Sequence, residues 1–245
     1  ICHCLVGSEM CIRDSLKEIL HSITTKVDTF YINKNEHYRA NSPVETREDR
    51  FTKWLLKKYT AHKVSKSNPI LQRLRSIKAK DEIGQIKRAC EITRDGFNRV
   101  LKFVKPNVWE YQIEAEFIHY FINNSSKGFA YTPIIASGND NNVLHYIKNN
   151  KICKEGELIL MDVGAEYGNY SSDMTRTIPV SGKFSKRQRE VYESVLRVKN
   201  EATKLIKAGN NWKNFHEQVG EIMTSELLKI NLIDRVDIKI ETKKN

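Results

Sequence analysis

Leu158-Ile159-Leu160-Met161-Asp162-Val163-Gly164-Ala165-Glu166-Tyr167-Gly168-Asn169-Tyr170-Ser171-Ser172-Asp173-Met174-Thr175-Arg176-Thr177-Ile178-Pro179-Val180 reads as two β-rich runs joined by a two-residue turn. Gly-Asn accepts the positive backbone angles of a tight hairpin. With Gly168 and Asn169 at the tip, Asp162 falls opposite Thr175 and Gly164 opposite Asp173. Side chains alternate between faces, so Asp162 and Asp173 share one face as diagonal neighbours, about 7–8 Å apart at the backbone. Two carboxylates leaning inward from that distance can share a pair of cations about 3.5–4 Å apart.

The bland reading is two solvated aspartates on a surface hairpin. Against it, Leu158 to Val163 is apolar on both faces, the pattern of a buried strand. A lone ionised carboxylate there is costly unless it is paired or bound to a cation. Arg176 is expected on the face opposite Asp173, which leaves a metal as the better partner. Oxygen ligands suit hard ions such as Mn²⁺, without excluding Zn²⁺ or Co²⁺.

Working outward, Val143 to Ile147 is expected as a short strand carrying His145. A single histidine is more often structural than catalytic, so spacing alone gives it no role. Before it, Gly128 to Ala136 reads as a strand and Ser137 to Asn142 as a turn. Ile83, Ile86, Cys90, Phe97, Val100 and Val104 make an apolar helical stripe that Lys105-Pro106 ends. A second helix is expected over Trp109 to Asn123, with Ile113, Phe117 and Phe121 four apart. Gly182-Lys183-Phe184-Ser185 leads into a helix over Lys186 to Ala208, and another spans Trp212 to Leu228. Helices alternating with antiparallel strands indicate an α+β fold. Earlier in the chain, Thr29 to Ile32 is a short strand candidate, Arg50 to Tyr59 a short helix, and Ser67-Asn68-Pro69 a break.

Composition limits the alternatives. The formal charge is +11 over 245 residues. Its lysines and arginines are scattered singly or in pairs, so a solvated surface is a better account than a nucleic-acid patch. No apolar run approaches a membrane span, and neither nucleic acid nor membrane is expected as a partner. Five cysteines in a chain this long make no disulfide framework. Cys90 and Cys153 are expected as small core residues of a reduced, cytoplasmic protein. The Cys2-His3-Cys4 tract is too tight for a structural zinc site. Cys4 to Ser15 shows neither helical nor strand periodicity and no signal-peptide form, so residues 1–15 are set apart from the fold. They are expected to be a non-native scar.

The run Phe129 to Gly138, then Leu144-His145-Tyr146, then Met161 to Tyr167, then Ser172 to Thr177, resembles Xaa-Pro aminopeptidases of the pita-bread metallopeptidase family in order, spacing and identity. Gly182 to Ser185 and Arg75-Ser76-Ile77-Lys78 extend the resemblance. It implies a partial pita-bread catalytic domain over 73–245, preceded by residues 16–72 as the tail of a smaller α/β domain. It implies two divalent metal ions, most simply Mn²⁺, with Asp162 chelating mainly one and Asp173 bridging both. His145 is implied to sit beside the metals as a catalytic residue that binds substrate or stabilises the tetrahedral intermediate. A metal-bound water would attack the peptide bond before proline.

The family's site takes two Asp, one His and two Glu, the last three from sequence following the helix over Trp212 to Leu228. His216-Glu217 lies inside that helix and is not expected to ligate. The chain is therefore expected to be an incomplete fragment, inactive by itself and a homo-oligomer only at full length. A prolidase acting on Xaa-Pro dipeptides is the nearest alternative. A non-catalytic peptidase-like binding module is the alternative of another class, disfavoured because Asp162 and Asp173 are both retained.

Overall fold

Helix α4 (Lys80–Phe103) and helix α5 (Glu110–Asn123) pack through small residues on one side and phenylalanines on the other. A Cβ on Gly96 would lie 2.9 Å from the Phe121 ring, so the helices approach there as closely as glycine permits. The buried face of α4 is Ala89, Ile92, Thr93, Gly96, Phe97 and Val100. This corrects the expected stripe: Ile83 and Cys90 are exposed, and Cys90 is not a core residue. Phe97 and Val100 are buried as expected, but the stripe left out Ile92 and the small residues Ala89, Thr93 and Gly96 that complete the buried face. Cys153 is buried as expected, and burial raises its thiol pKa to about 11.

The structure, a computed structural model, describes residues 8–33 and 44–234. The Cys2-His3-Cys4 tract and the residues from 235 onward lie outside them. The chain divides into two compact units, residues 1–80 and 81–245. The sequence-based boundary after residue 72 falls within a helix.

In the first unit, helix α1 (Ser8–Thr24) precedes β1 (Thr29–Ile32), α2 (Arg47–Lys58), β2 (Lys63–Lys66) and α3 (Asn68–Ser76). Strands β1 and β2 pair in parallel, Thr29 with Lys63 through Ile32 with Lys66, with α2 between them in sequence. That is α/β architecture. Thr46 caps α2 in a reciprocal box with Asp49. Helix α1 includes residues 8–15, against the expectation of no regular structure there. Once Leu16 to Thr24 is helical, each further residue costs little to add. Ser67-Asn68-Pro69 does not break structure but begins α3, with proline in its first turn, where the missing N–H costs nothing.

In the second unit the strands are β3 (Gly128–Phe129), β4 (Ile134–Ser137), β5 (Leu158–Val163), β6 (Ala165–Tyr167), β7 (Tyr170–Ser171) and β8 (Met174–Pro179). They form two three-stranded antiparallel sheets, β3-β6-β7 and β4-β5-β8. The expected single strand over Gly128 to Ala136 is thus two strands in different sheets, parted by Ala130 to Pro133. Helices α6 (Lys186–Leu205) and α7 (Trp212–Lys229) follow, and Ser185 caps α6. Ile92, Phe97 and Val100 of α4, Ile113, Phe117 and Phe121 of α5, Ile135 of β4, and Ile159, Met161 and Val163 of β5 form one core cluster. Each such side chain contributes about 1.5–3 kcal/mol when fully buried. The second unit combines helices with antiparallel sheets, the α+β architecture expected, and follows the α/β unit in sequence.

Candidate functional site

Strand β5 alternates in burial: Ile159, Met161 and Val163 enter the core, while Leu158, Leu160 and Asp162 are half-buried on the other face. The strand was expected to be buried on both faces. One face instead fronts a cavity, so Asp162 is less desolvated than the sequence argument assumed. Gly168 (φ 59°) and Asn169 (φ 66°) make the turn, both left-handed. The register follows: Asp162 pairs with Thr175, Val163 with Met174, and Tyr167 with Tyr170.

Between Val163 and Ala165 the hairpin passes from one sheet to the other. Gly164 has no room for a side chain, because a Cβ would lie 1.9 Å from the Ser172 carbonyl oxygen. Buried Thr93 and Ser172 share a hydroxyl hydrogen bond of 2.6 Å, and Ala165 N donates to both hydroxyls at 2.9 Å. This fixes the backbone immediately before Asp173.

Asp162 and Asp173 meet at Tyr131. The phenol oxygen is 2.7 Å from Asp162 Oδ1 and 3.2 Å from Asp173 Oδ1, so its one proton serves either carboxylate. The two carboxylates therefore share one face. Burial, then the bond to Asp162, raises the Tyr131 phenol far above its ordinary pKa of 10.0. It stays a neutral donor.

His145 lines a cavity of about 340 Å³ together with Asp162, Thr175, Ile134 and Leu160. It does not lie on a strand. Residues 143–147 form an irregular turn, and His145 has φ 55° in the left-handed region. Buried Asn149 (φ 44°) donates to Glu114 Oε2 (2.9 Å) and Pro133 O (3.1 Å), and accepts from Ile135 N (3.0 Å). A cavity of about 410 Å³ in the first unit, between Tyr31 and Phe51, is lined among the described residues by Arg47 and Glu48 as its charged groups.

A cation needs convergent oxygen or nitrogen donors. Asp162 and Asp173 supply two carboxylates at one point, which fits part of a hard-ion site. Among the described residues no group of three or more His, Cys, Asp or Glu side chains converges, so His145 is not a third ligand to that pair. His216 lies in α7 and meets the Trp212 and Phe215 rings edge-on. Tyr131 lies inside the motif, yet sequence reasoning assigns it no role. It lies in an irregular segment, where strand parity gives no direction.

The sequence model of Metallopeptidase family M24 matches residues 84–238. The Xaa-Pro aminopeptidase of Haemophilus influenzae is 37% identical over 174 residues, 71% of this chain and 40% of its own length. The structure of aminopeptidase PepP from Pseudomonas aeruginosa superposes with a TM-score of 0.82 at 27% identity, over 94% of this chain and 53% of that one. A zinc-substituted Escherichia coli aminopeptidase P in complex with product gives 0.79 at 29%, over 93% and 53%. The chain spans about half the length of the curated relatives it matches.

Proposed function

Because the chain belongs to metallopeptidase family M24, we propose that Asp162 and Asp173 are metal ligands of an Xaa-Pro aminopeptidase, and that residues 1–245 carry only part of its donor set. The observation that supports this most is the single phenol between two carboxylates, beside a cavity that His145 also lines. Two divalent ions, most simply Mn²⁺, would when bound activate a water and polarise the carbonyl of the bond before proline.

The chain's own groups have distinct tasks in this reading. Asp162, held near the end of β5 between Ile134 and Thr175 on the two neighbouring strands, presents an oxygen at fixed depth. Asp173 follows the Thr93–Ser172 lock, which sets its backbone. Tyr131 donates to the carboxylates from the protein side and holds their orientation, as outer-shell partners of metal ligands do. His145, exposed at the cavity mouth, meets the substrate and donates toward its carbonyl. The substrate class is peptides with proline in second position, and the compartment the cytoplasm, with a homo-oligomer as the working form.

Two converging carboxylates leave an ion mostly hydrated, so residues 1–245 alone are proposed to bind metal weakly and not to hydrolyse. The test is the metal content of a form extended to the length of the relatives, loaded with Mn²⁺ and dialysed. Asp162→Asn and Asp173→Asn should each lose bound metal. Full retention by both variants would remove the pair from the metal site.

A further inference from the structure

Helix α5 carries a buried carboxylate that the proposed chemistry does not use. Glu110, its first residue, is wholly buried and accepts four hydrogen bonds. Its Oε1 takes Ser137 N and Ser137 Oγ, both at 2.7 Å. Its Oε2 takes Tyr146 OH at 2.7 Å and Lys151 N at 3.1 Å. The Glu110 amide in turn donates to Lys151 O at 2.9 Å. One turn along the same helix, Glu114 takes the Asn149 side-chain amide.

Three of these partners, Tyr146, Asn149 and Lys151, belong to the segment that carries His145. We infer that Glu110, seconded by Glu114, is a positioning residue: α5 clamps residues 143–151 and thereby fixes His145 at the cavity it shares with Asp162. This rests on the proposed reading of His145 as the group that meets substrate.

The physical case has three parts. First, a non-glycine residue at φ 55° is held off its preferred backbone and needs its neighbours to keep it there. Tyr146, the next residue, is the buried one, while His145, Leu144 and Ile147 are exposed. The segment is thus anchored at Tyr146 and Asn149 and open at His145. Second, a buried carboxylate with four donors is expensive to disturb, since removing one partner leaves a desolvated group unpaired. The anchor is therefore stiff. Third, Glu110 stands in the first turn of α5, where the helix dipole favours negative charge. Burial, then the bond to Glu110, raises the Tyr146 phenol above its ordinary pKa of 10.0, which keeps it a donor.

The test has two arms that fail separately. In residues 1–245, Tyr146→Phe keeps the ring and deletes the hydroxyl, and Glu110→Gln serves as the second variant. Amide hydrogen exchange over 143–151 should quicken about tenfold in Tyr146→Phe, with α4 and β5 unchanged. Unchanged exchange in that segment, or an equal rise everywhere, would overturn the clamp. The second arm uses the form extended to the length of the relatives, with a proline-second tripeptide. There Tyr146→Phe should lower kcat about tenfold, move KM less than twofold, and add nothing further in a His145→Ala background. Effects that simply multiply in the double variant would mean the clamp does not act through His145. If no form turns over the peptide, the peptidase reading fails by itself, and the exchange arm still decides the clamp.

Discussion

The hydroxyl of Tyr131 donates to Asp162 Oδ1 across 2.7 Å and stands 3.2 Å from Asp173 Oδ1. A loop residue between two sheets thus joins two carboxylates that a hairpin register had already turned toward one face. Tyr131→Phe keeps the ring and removes only that donor. In the extended form, Mn²⁺ affinity measured by calorimetric titration should fall about tenfold, as outer-shell losses typically do. Unaltered affinity would make Tyr131 a bystander.

His145→Ala should separate binding of metal from use of it. Turnover in the extended form is expected to drop about a hundredfold, the low end for loss of a positioned donor, with metal content unchanged. Wild-type turnover would return His145 to a structural role. Loss of metal along with activity would make it a ligand after all.

Much of this was legible in the sequence because it is local. Turn chemistry at Gly168-Asn169 and two-residue alternation set the hairpin register residue by residue, from Asp162–Thr175 to Tyr167–Tyr170. What failed was non-local. Val143 to Ile147 has strand composition, yet Tyr146 and Asn149 bond to glutamates more than thirty residues earlier, contacts that no local pattern encodes. Cys90 is exposed because its neighbours Ala89, Ile92, Thr93 and Gly96 carry the buried face, and the burial of Gly96 depends on the rings of α5. Glu110 carries no signal in the sequence beyond its place in a helix. Only the fold reveals that it is wholly buried.

Gly164 and Gly220 should respond oppositely to alanine. At Gly164 the new Cβ would meet Ser172 O at 1.9 Å, so Gly164→Ala should cost about 3 kcal/mol or more, or prevent folding. Gly220 lies in α7 with nothing within 4 Å, so Gly220→Ala should gain up to about 1 kcal/mol from helix propensity. Denaturant midpoints of the two variants measure both. A silent Gly164→Ala would contradict the close approach at the sheet switch.

Glu226 links α7 to α6. Its carboxylate accepts from Arg197 (2.8 Å), Lys229 (2.7 Å) and Ser194 (2.9 Å), which together lower its pKa from 4.5 to about 2. A carboxyl depressed on folding stabilises above its unfolded pKa, and that stability is lost as pH falls toward the folded value. The thermal midpoint of the parent should exceed that of Glu226→Gln by a constant margin above about pH 5, and the margin should shrink between 4.5 and 2. A margin independent of pH through that window would show that the charge on Glu226 contributes nothing.

The central claim is that Asp162 and Asp173 hold the metal of a proline-specific aminopeptidase. Its most direct test is turnover of a tripeptide with proline second, in Mn²⁺, by three proteins. These are residues 1–245, a form extended to the length of the relatives, and that extended form with Asp162→Asn and Asp173→Asn together. Turnover by the unaltered extended form alone is the predicted result. Comparable turnover by the extended form without its two aspartates would contradict the account, because the chemistry would then lie elsewhere.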